Sequence, residues 1–551
     1  MDRRGQAVLL AYVTIATITV LGAALLNQSF TASRNSAHHR LQAETFYLAE
    51  GGLEDALRQF AQGIADFTID ANTAQYPAAG SDPIATAFTA GGTAASRIAQ
   101  AEAAPRAIVA QDGITEFVKN YEVTTTAVNP SNPTISVTLH QIISRRLVYT
   151  FQHAIFYHDT DLELLPGPPM TVWGRVHGNA NIYLDSNAVL TLNSDYLHAA
   201  GHLYNQRKDD GTTMPGEINI KKMGTNPPQY AAMNGLDSDV PTWKDDATNR
   251  WLGTAQTSAH GVTKLSVPVV GSIQPGGFYD TRAQVKIVND TITDAAGTPL
   301  VVPPGTITTT TTFKNNREGK FIKMTEVDLK RLAGYFDCTG PGGVPDGILD
   351  PPETPCNPYE NQLPGNGLLY ATRNDAPAGQ QPGIRLVNGG EVFRADGLTV
   401  VSNDPVYVKG DFNAVNKKPV AVIGDAVNLL SNSWNDANST LNVNSRVASN
   451  TTINAAFIAG NVPTQGANYS GGLENYPRFH EHWSGKTLSI TGSFVALWNS
   501  QIATGRWVYG NPQYTAPNRS WGYDASFSDG TRLPPFSPYS VQITRGAWWK
   551  E

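Results

Sequence analysis

Two short stretches concentrate side chains able to bind metal. In the first, Asp337, Asp346, Asp350 and Glu353 lie among Gly and Pro residues around Cys338 and Cys356. Calcium takes six to eight oxygens at about 2.3–2.6 Å, and the helix-loop-helix calcium pattern places an Asp-Gly pair at its fifth and sixth positions. Setting Asp346-Gly347 there brings the Ile348 carbonyl, Asp350 and Glu353 to the seventh, ninth and twelfth. The opening positions fall on Gly342 and Val344, which carry no carboxylate, so Asp337 would have to fold back to complete the set. Cys338 and Cys356 are the only cysteines, and in an exported chain so close a pair reads as a disulfide. Closing such a loop stabilises by about 3 kcal/mol through the unfolded chain's entropy. The competing reading is the disulfide alone with its acids solvated, because acidic Asp-Gly turns are frequent without metal.

The second stretch is His480-Glu481-His482-Trp483. Alternate residues of a strand face one way, so two imidazoles could reach one zinc. No third ligand stands nearby, and a pair of satisfied surface histidines is the simpler reading. Ser470-Gly471-Gly472 and Gly51-Gly52 lack the strand-turn-helix setting of a nucleophile elbow or phosphate loop. No catalytic residue is assigned, and no enzyme is expected.

The elements that would carry these residues begin with a long apolar segment. From Ala7 to Leu26 the chain holds no charge, which matches the ~30 Å hydrocarbon core of a bilayer. Arg3 and Arg4 just before it favour a cytoplasmic N-terminus, leaving everything after about residue 27 outside. A secretory signal would have a shorter apolar core and a small-residue cleavage site, of which Gly22-Ala23-Ala24 is a poor imitation. Beyond it, Phe46, Ala49, Leu53, Ala56, Leu57 and Phe60 recur at the spacing of a helix with one buried face. Span and amphipathic arm read as one helix from Gln6 to Phe60, about 80 Å long at 1.5 Å per residue.

Arg4-Gly5 followed by Gln6-Ala7-Val8-Leu9-Leu10, together with the run Phe46 to Glu54, resembles the N-terminus of type IV pilins and pseudopilins, particularly PilX-type minor pilins. The resemblance covers about the first 60 residues. It implies cleavage after Gly5 by a prepilin peptidase, a mature chain starting at Gln6, and transfer of the helix from the inner membrane into a filament of sister subunits. Leu10, Phe46, Leu48, Glu50, Leu53 and Leu57 are the implied assembly residues. The fifth mature residue is usually Glu in major pilins, whereas here it is Leu10. A membrane carboxylate is costly unless it finds a partner, and Leu10 can make no such contact. That departure points to a minor subunit, one placed at a filament tip. A plain signal anchor is the structural alternative.

The remainder is too long for one core: 551 residues with 50 Gly, 35 Pro and 16% charged side chains suggest two or three exported units. A net charge of −7 offers no basic footprint, so no nucleic acid is expected. The fold class expected is α+β, a long helix and a mainly-β head. Residues 61–110 read as linker-like, 111–165 as a small pilin-like β region, 166–440 as a β-rich stack with an irregular insertion at 195–335, and 441–551 as an aromatic cap. Trp548 and Trp549 are its candidate surface contacts. A motif of apolar residue, spacer, Gly, polar residue, apolar residue recurs at Gly174, Gly410, Gly460 and Gly492, with Gly424 one place early. Glycines at similar places in short strands favour a parallel β-helix or solenoid-like stack, with a large antiparallel sandwich as the alternative. Three functions compete: a minor pilin or pseudopilin, a membrane-anchored carbohydrate-binding or carbohydrate-cleaving β-helix, and a non-pilin envelope scaffold. The partners implied are other pilin subunits, the processing peptidase, the inner membrane and a surface or carbohydrate ligand of the head.

Overall fold

The computed structural model of the protein describes residues 3–89, 91–110, 112–335 and 360–551. The candidate calcium and disulfide residues Asp337, Cys338, Asp346, Ile348, Asp350, Glu353 and Cys356 lie outside the described residues.

Helix α1 (Arg3–Ala65) runs unbroken for 63 residues, about 95 Å at 1.5 Å per residue. No proline precedes Pro77, so nothing in the chain interrupts its hydrogen-bond ladder. Within the apolar run, Thr14, Thr17 and Thr19 donate their hydroxyls to the carbonyls of Leu10, Val13 and Ile15 at 2.8, 2.7 and 2.8 Å. These polar groups are therefore satisfied inside the helix, as a lipid environment requires.

The C-terminal part of α1 packs on a seven-stranded antiparallel sheet. Its strands are β1 (Gln75–Tyr76), β2 (Ile84–Ala87), β3 (Thr93–Gln100), β4 (Arg106–Val109), β5 (Thr115–Val128), β6 (Ser136–Tyr149) and the C-terminal strand Tyr539–Lys550. The order is β1-β3-β5-β6-C-terminal strand, with β2 also on β3 and β4 also on β5. β5 and β6 alternate buried and partly buried residues over most of their length, the period of a strand with one face on a core. Two expectations are corrected here. The segment 61–110 is not linker-like: it completes α1 and supplies β1 to β4, with Ala94 and Ser96 of β3 packed close against Gly52 of α1. Nor does the final strand belong to the cap, since Tyr539 to Lys550 leave the large β region to pair with β6.

From β7 (His153–Tyr157) onward, pairing is mostly parallel. Arg175–Gly178 pairs with β7, Ile182–Leu184 with Leu162–Leu164, and Val189–Asn193 with Met170–Trp173. The next strands along the chain, Leu197–Ala199, Leu203–Tyr204 and Glu217–Lys221, add in parallel to those three in turn. A second run does the same with Leu368–Thr372, Leu398–Val401, Val420–Gly424, Ala456–Asn461 and Thr487–Asn499. The two runs join where Phe494 stands opposite Ile155. The chain thus enters a 13-stranded sheet in its interior, works outward to Ala255–Gln256, and returns from the far edge at Thr291–Asp294. This pairing overturns the antiparallel sandwich. It also shows that 195–335 is only partly an insertion, since four of its strands extend the first run.

Two of the recurring glycines mark close backbone approach. A Cβ on Gly460 would stand 2.6 Å from the Ser500 nitrogen, and one on Gly492 would meet the Ala455 carbonyl. Layered parallel strands need this absence of a side chain where neighbouring turns touch.

Candidate assembly interface

Every third or fourth residue of the packed half of α1 is buried: Thr45, Ala49, Leu53, Ala56, Leu57, Phe60, Ala61 and Ile64. They meet Ile98, Tyr121, Val123, Val137, Leu139, Ile143 and Leu147 of the antiparallel sheet. Phe60 sits edge-on to Tyr121 with ring centroids 5.0 Å apart. A Cβ on Gly52 would stand 2.4 Å from the Ala94 Cβ, so only glycine allows this approach. At the same crossing the Ser96 hydroxyl donates to the Gly52 carbonyl at 3.2 Å and lies 2.9 Å from the Thr125 hydroxyl.

Polar clasps fix the position of the arm at both ends. Asn129, fully buried, donates to the Leu41 carbonyl at 3.1 Å and the Thr45 hydroxyl at 3.0 Å. Beyond the last turn, Lys119 donates to the Asn72 carbonyl at 2.8 Å and to Gln100 Oε1 at 3.0 Å, while Arg145 reaches the Ala71 carbonyl. Burial pushes the Lys119 ammonium and the Arg145 guanidinium below their ordinary values. The arm also touches the large β region: Gln62 donates to the Val267 carbonyl at 2.9 Å, and Phe67 stacks on Phe278 at 3.6 Å. Buried Arg175 bridges the two bodies through Asp112 and Glu116.

The other half of α1 is uncovered. Val8, Leu9, Leu10, Val13, Ile15, Ile18, Leu21, Leu25 and Phe30 are all exposed, Leu10 by 71%. By length and composition α1 can cross a membrane. Gly5 and Gln6 lie on this exposed part, so a cleavage there would meet no packed neighbour.

The residues implied for assembly divide between these two environments. Leu10 and Glu50 are exposed. Phe46 and Leu48 are half-buried, Phe46 lying 6.1 Å from the Trp548 ring. Leu53 and Leu57 are buried against the protein's own sheet. Trp548 and Trp549 are exposed on the C-terminal strand, Trp549 stacked on His140 at 5.0 Å and 3°. Thr45, Gly52 and Asn129 escaped the sequence reading as clasp residues. The adjacent Gly51-Gly52 pair inside an apolar periodic helix was the available signal for one of them.

His480 and Glu481 are also placed differently from expectation. His480 is buried, its Nε2 2.9 Å from Asn428 Oδ1, rather than on the surface. Glu481 accepts from the Ser431 nitrogen and hydroxyl at 2.7 and 2.6 Å. No group of three or more His, Cys, Asp or Glu side chains is placed to hold a metal among the described residues.

No protein-family model matches the chain, and no curated protein sequence does. Among solved structures, the crystal structure of the competence-associated pilin ComZ from Thermus thermophilus aligns with 93% of this chain and 97% of that chain. The identity is 10% and the TM-score 0.27, too low to establish a shared fold.

Proposed function

We propose that the protein is a minor pilin or pseudopilin of a type IV pilus or secretion-related filament, displaying a large exported β head. The observation that carries this reading is the division of α1. Its packed half is held by the antiparallel sheet, while its leading half presents an apolar surface that needs lipid or other helices around it. A simple anchor needs about 20 apolar residues and no rigid continuation, whereas α1 runs on as one rod through a polar stretch into the head.

In this reading a prepilin peptidase cuts after Gly5, and the subunit waits in the cytoplasmic membrane with its head outside. The apolar half then leaves lipid for a bundle of sister helices, with Leu10 in place of the carboxylate that other subunits use for register. The parallel registers of the two strand runs support a stacked, solenoid-like head. That head supplies adhesion, cargo contact or tip initiation, with Trp548 and Trp549 on the face beside the rod. No step requires turnover.

Mass spectrometry of the N-terminus, from cells with and without the processing peptidase, tests the proposal together with a search for the protein in sheared filaments. A mature chain beginning at Gln6 and present in fibres is the expected result. An intact leader retained in membranes, with no copy in fibres, identifies an anchored scaffold instead and overturns the assignment.

A further inference from the structure

Where the two parallel runs meet, buried oxygens gather without partners. Glu163, in Leu162–Leu164, is 2% exposed: its Oε1 accepts from the Thr464 hydroxyl at 2.5 Å and the Ser470 hydroxyl at 3.2 Å, while Oε2 has no partner. Glu474 is 4% exposed, its Oε1 accepting from the Leu165 nitrogen at 2.8 Å and its Oε2 unpartnered. The buried Tyr157 hydroxyl is unpartnered as well. Each such group is destabilising when left unsatisfied, and more so when charged. Three at one junction are expensive.

A glycine lets these oxygens crowd the backbone. Gly472 adopts φ +61°, and a Cβ there would stand 2.7 Å from Glu474 Oε2, 2.7 Å from the Tyr469 hydroxyl and 3.0 Å from the Glu163 carbonyl. Among the described residues no Lys or Arg forms a salt bridge with either carboxylate, although Arg519 stands beside Glu474 with its Nε unpartnered. Lys208 pairs with Asp161 at 2.9 Å, Arg207 with Asp209 at 2.7 Å, and Arg519 donates to the Glu474 carbonyl at 3.0 Å. Tyr469 and Ser470 also line a neighbouring cavity of about 760 Å³.

We propose that Glu163 and Glu474 hold a hard divalent cation of the calcium class, with the Tyr469 hydroxyl and the Glu163 carbonyl as further ligands and water completing the shell. The donors are all oxygen, as calcium prefers, and nitrogen and sulfur ligands that would favour zinc or copper are absent from the set. Two carboxylates match a double positive charge. Both carboxylates are buried, so holding the two of them ionised without a cation is unfavourable. A proton on Glu474 is the competing occupant.

Terbium luminescence separates the two. The full chain in detergent micelles, stripped with a chelator, is titrated with Tb³⁺ under tyrosine excitation and then with Ca²⁺. An Asp346→Asn, Asp350→Asn background removes the other calcium candidate. Emission that Ca²⁺ displaces, that Glu474→Gln weakens by about tenfold or more, and that Tyr469→Phe dims while Ca²⁺ still binds, is the expected result. Absence of Tb³⁺ and Ca²⁺ binding at millimolar concentration overturns the proposal and leaves the proton. So does binding untouched by both Glu474→Gln and Glu163→Gln. If Glu474→Gln fails to fold, the titration of the parent and of Glu163→Gln decides.

Discussion

The two halves of α1 carry comparable apolar side chains but meet different solvents. In the leading half the side chains point in all directions and are exposed; in the trailing half one stripe is buried and the opposite face is polar. The difference lies in what covers them. The trailing stripe is paired with a sheet from the same chain, so it stabilises the monomer. The leading half gains nothing from folding and is stabilised only by lipid or other helices, which makes it available for transfer between the two. A helix can thus be structural at one end and portable at the other without any break between them.

Substitutions on either side of that divide should behave differently. The largest loss of fold stability is expected from Phe60→Ala, which empties a site enclosed by Tyr121 and Tyr76 and should cost about 3–5 kcal/mol in denaturant unfolding of the head. A loss below 1 kcal/mol would mean that the arm is not part of the head's core. Ile18→Asp should leave head unfolding unchanged yet disfavour insertion by about 2.5–3.5 kcal/mol, read as protein lost from the alkaline-washed membrane fraction. Retention in that fraction would break the contrast. Gly52→Leu should cost about 1–3 kcal/mol because the new side chain collides with Ala94, and combining it with Ala94→Gly should recover part of the loss. The smallest effect belongs to Arg545→Ala, which removes a pair with Glu54 in which both side chains are about half exposed. A change of less than 1 kcal/mol is expected, and a larger one would show that the C-terminal strand is clasped to α1 by charge rather than by its ladder with β6.

How much of this was legible follows from the range over which each signal acts. The helix could be read because an uncharged run and a 3.6-residue period are properties of adjacent residues. The strands β1 to β4 could not, because Ala94 and Ser96 bury little on their own and become core only when Gly52 arrives opposite them. The C-terminal strand was hidden by distance, since Tyr539 pairs with Tyr149 across 390 residues of chain. Short apolar strands signalled a β head but not their pairing direction. His480 carried no local mark of burial, and its placement depends on Asn428 from another strand.

Residue order alone determined that the N-terminal rod is apolar, continuous and unable to remain in water uncovered, because charge and periodicity are local and independent of partners. Tertiary structure decided where the covered half begins, which sheet covers it, and that two separated strand runs meet at Phe494 and Ile155. Those outcomes depend on which distant surfaces fit together, and the free energy of that fit belongs to pairs of segments rather than to either one.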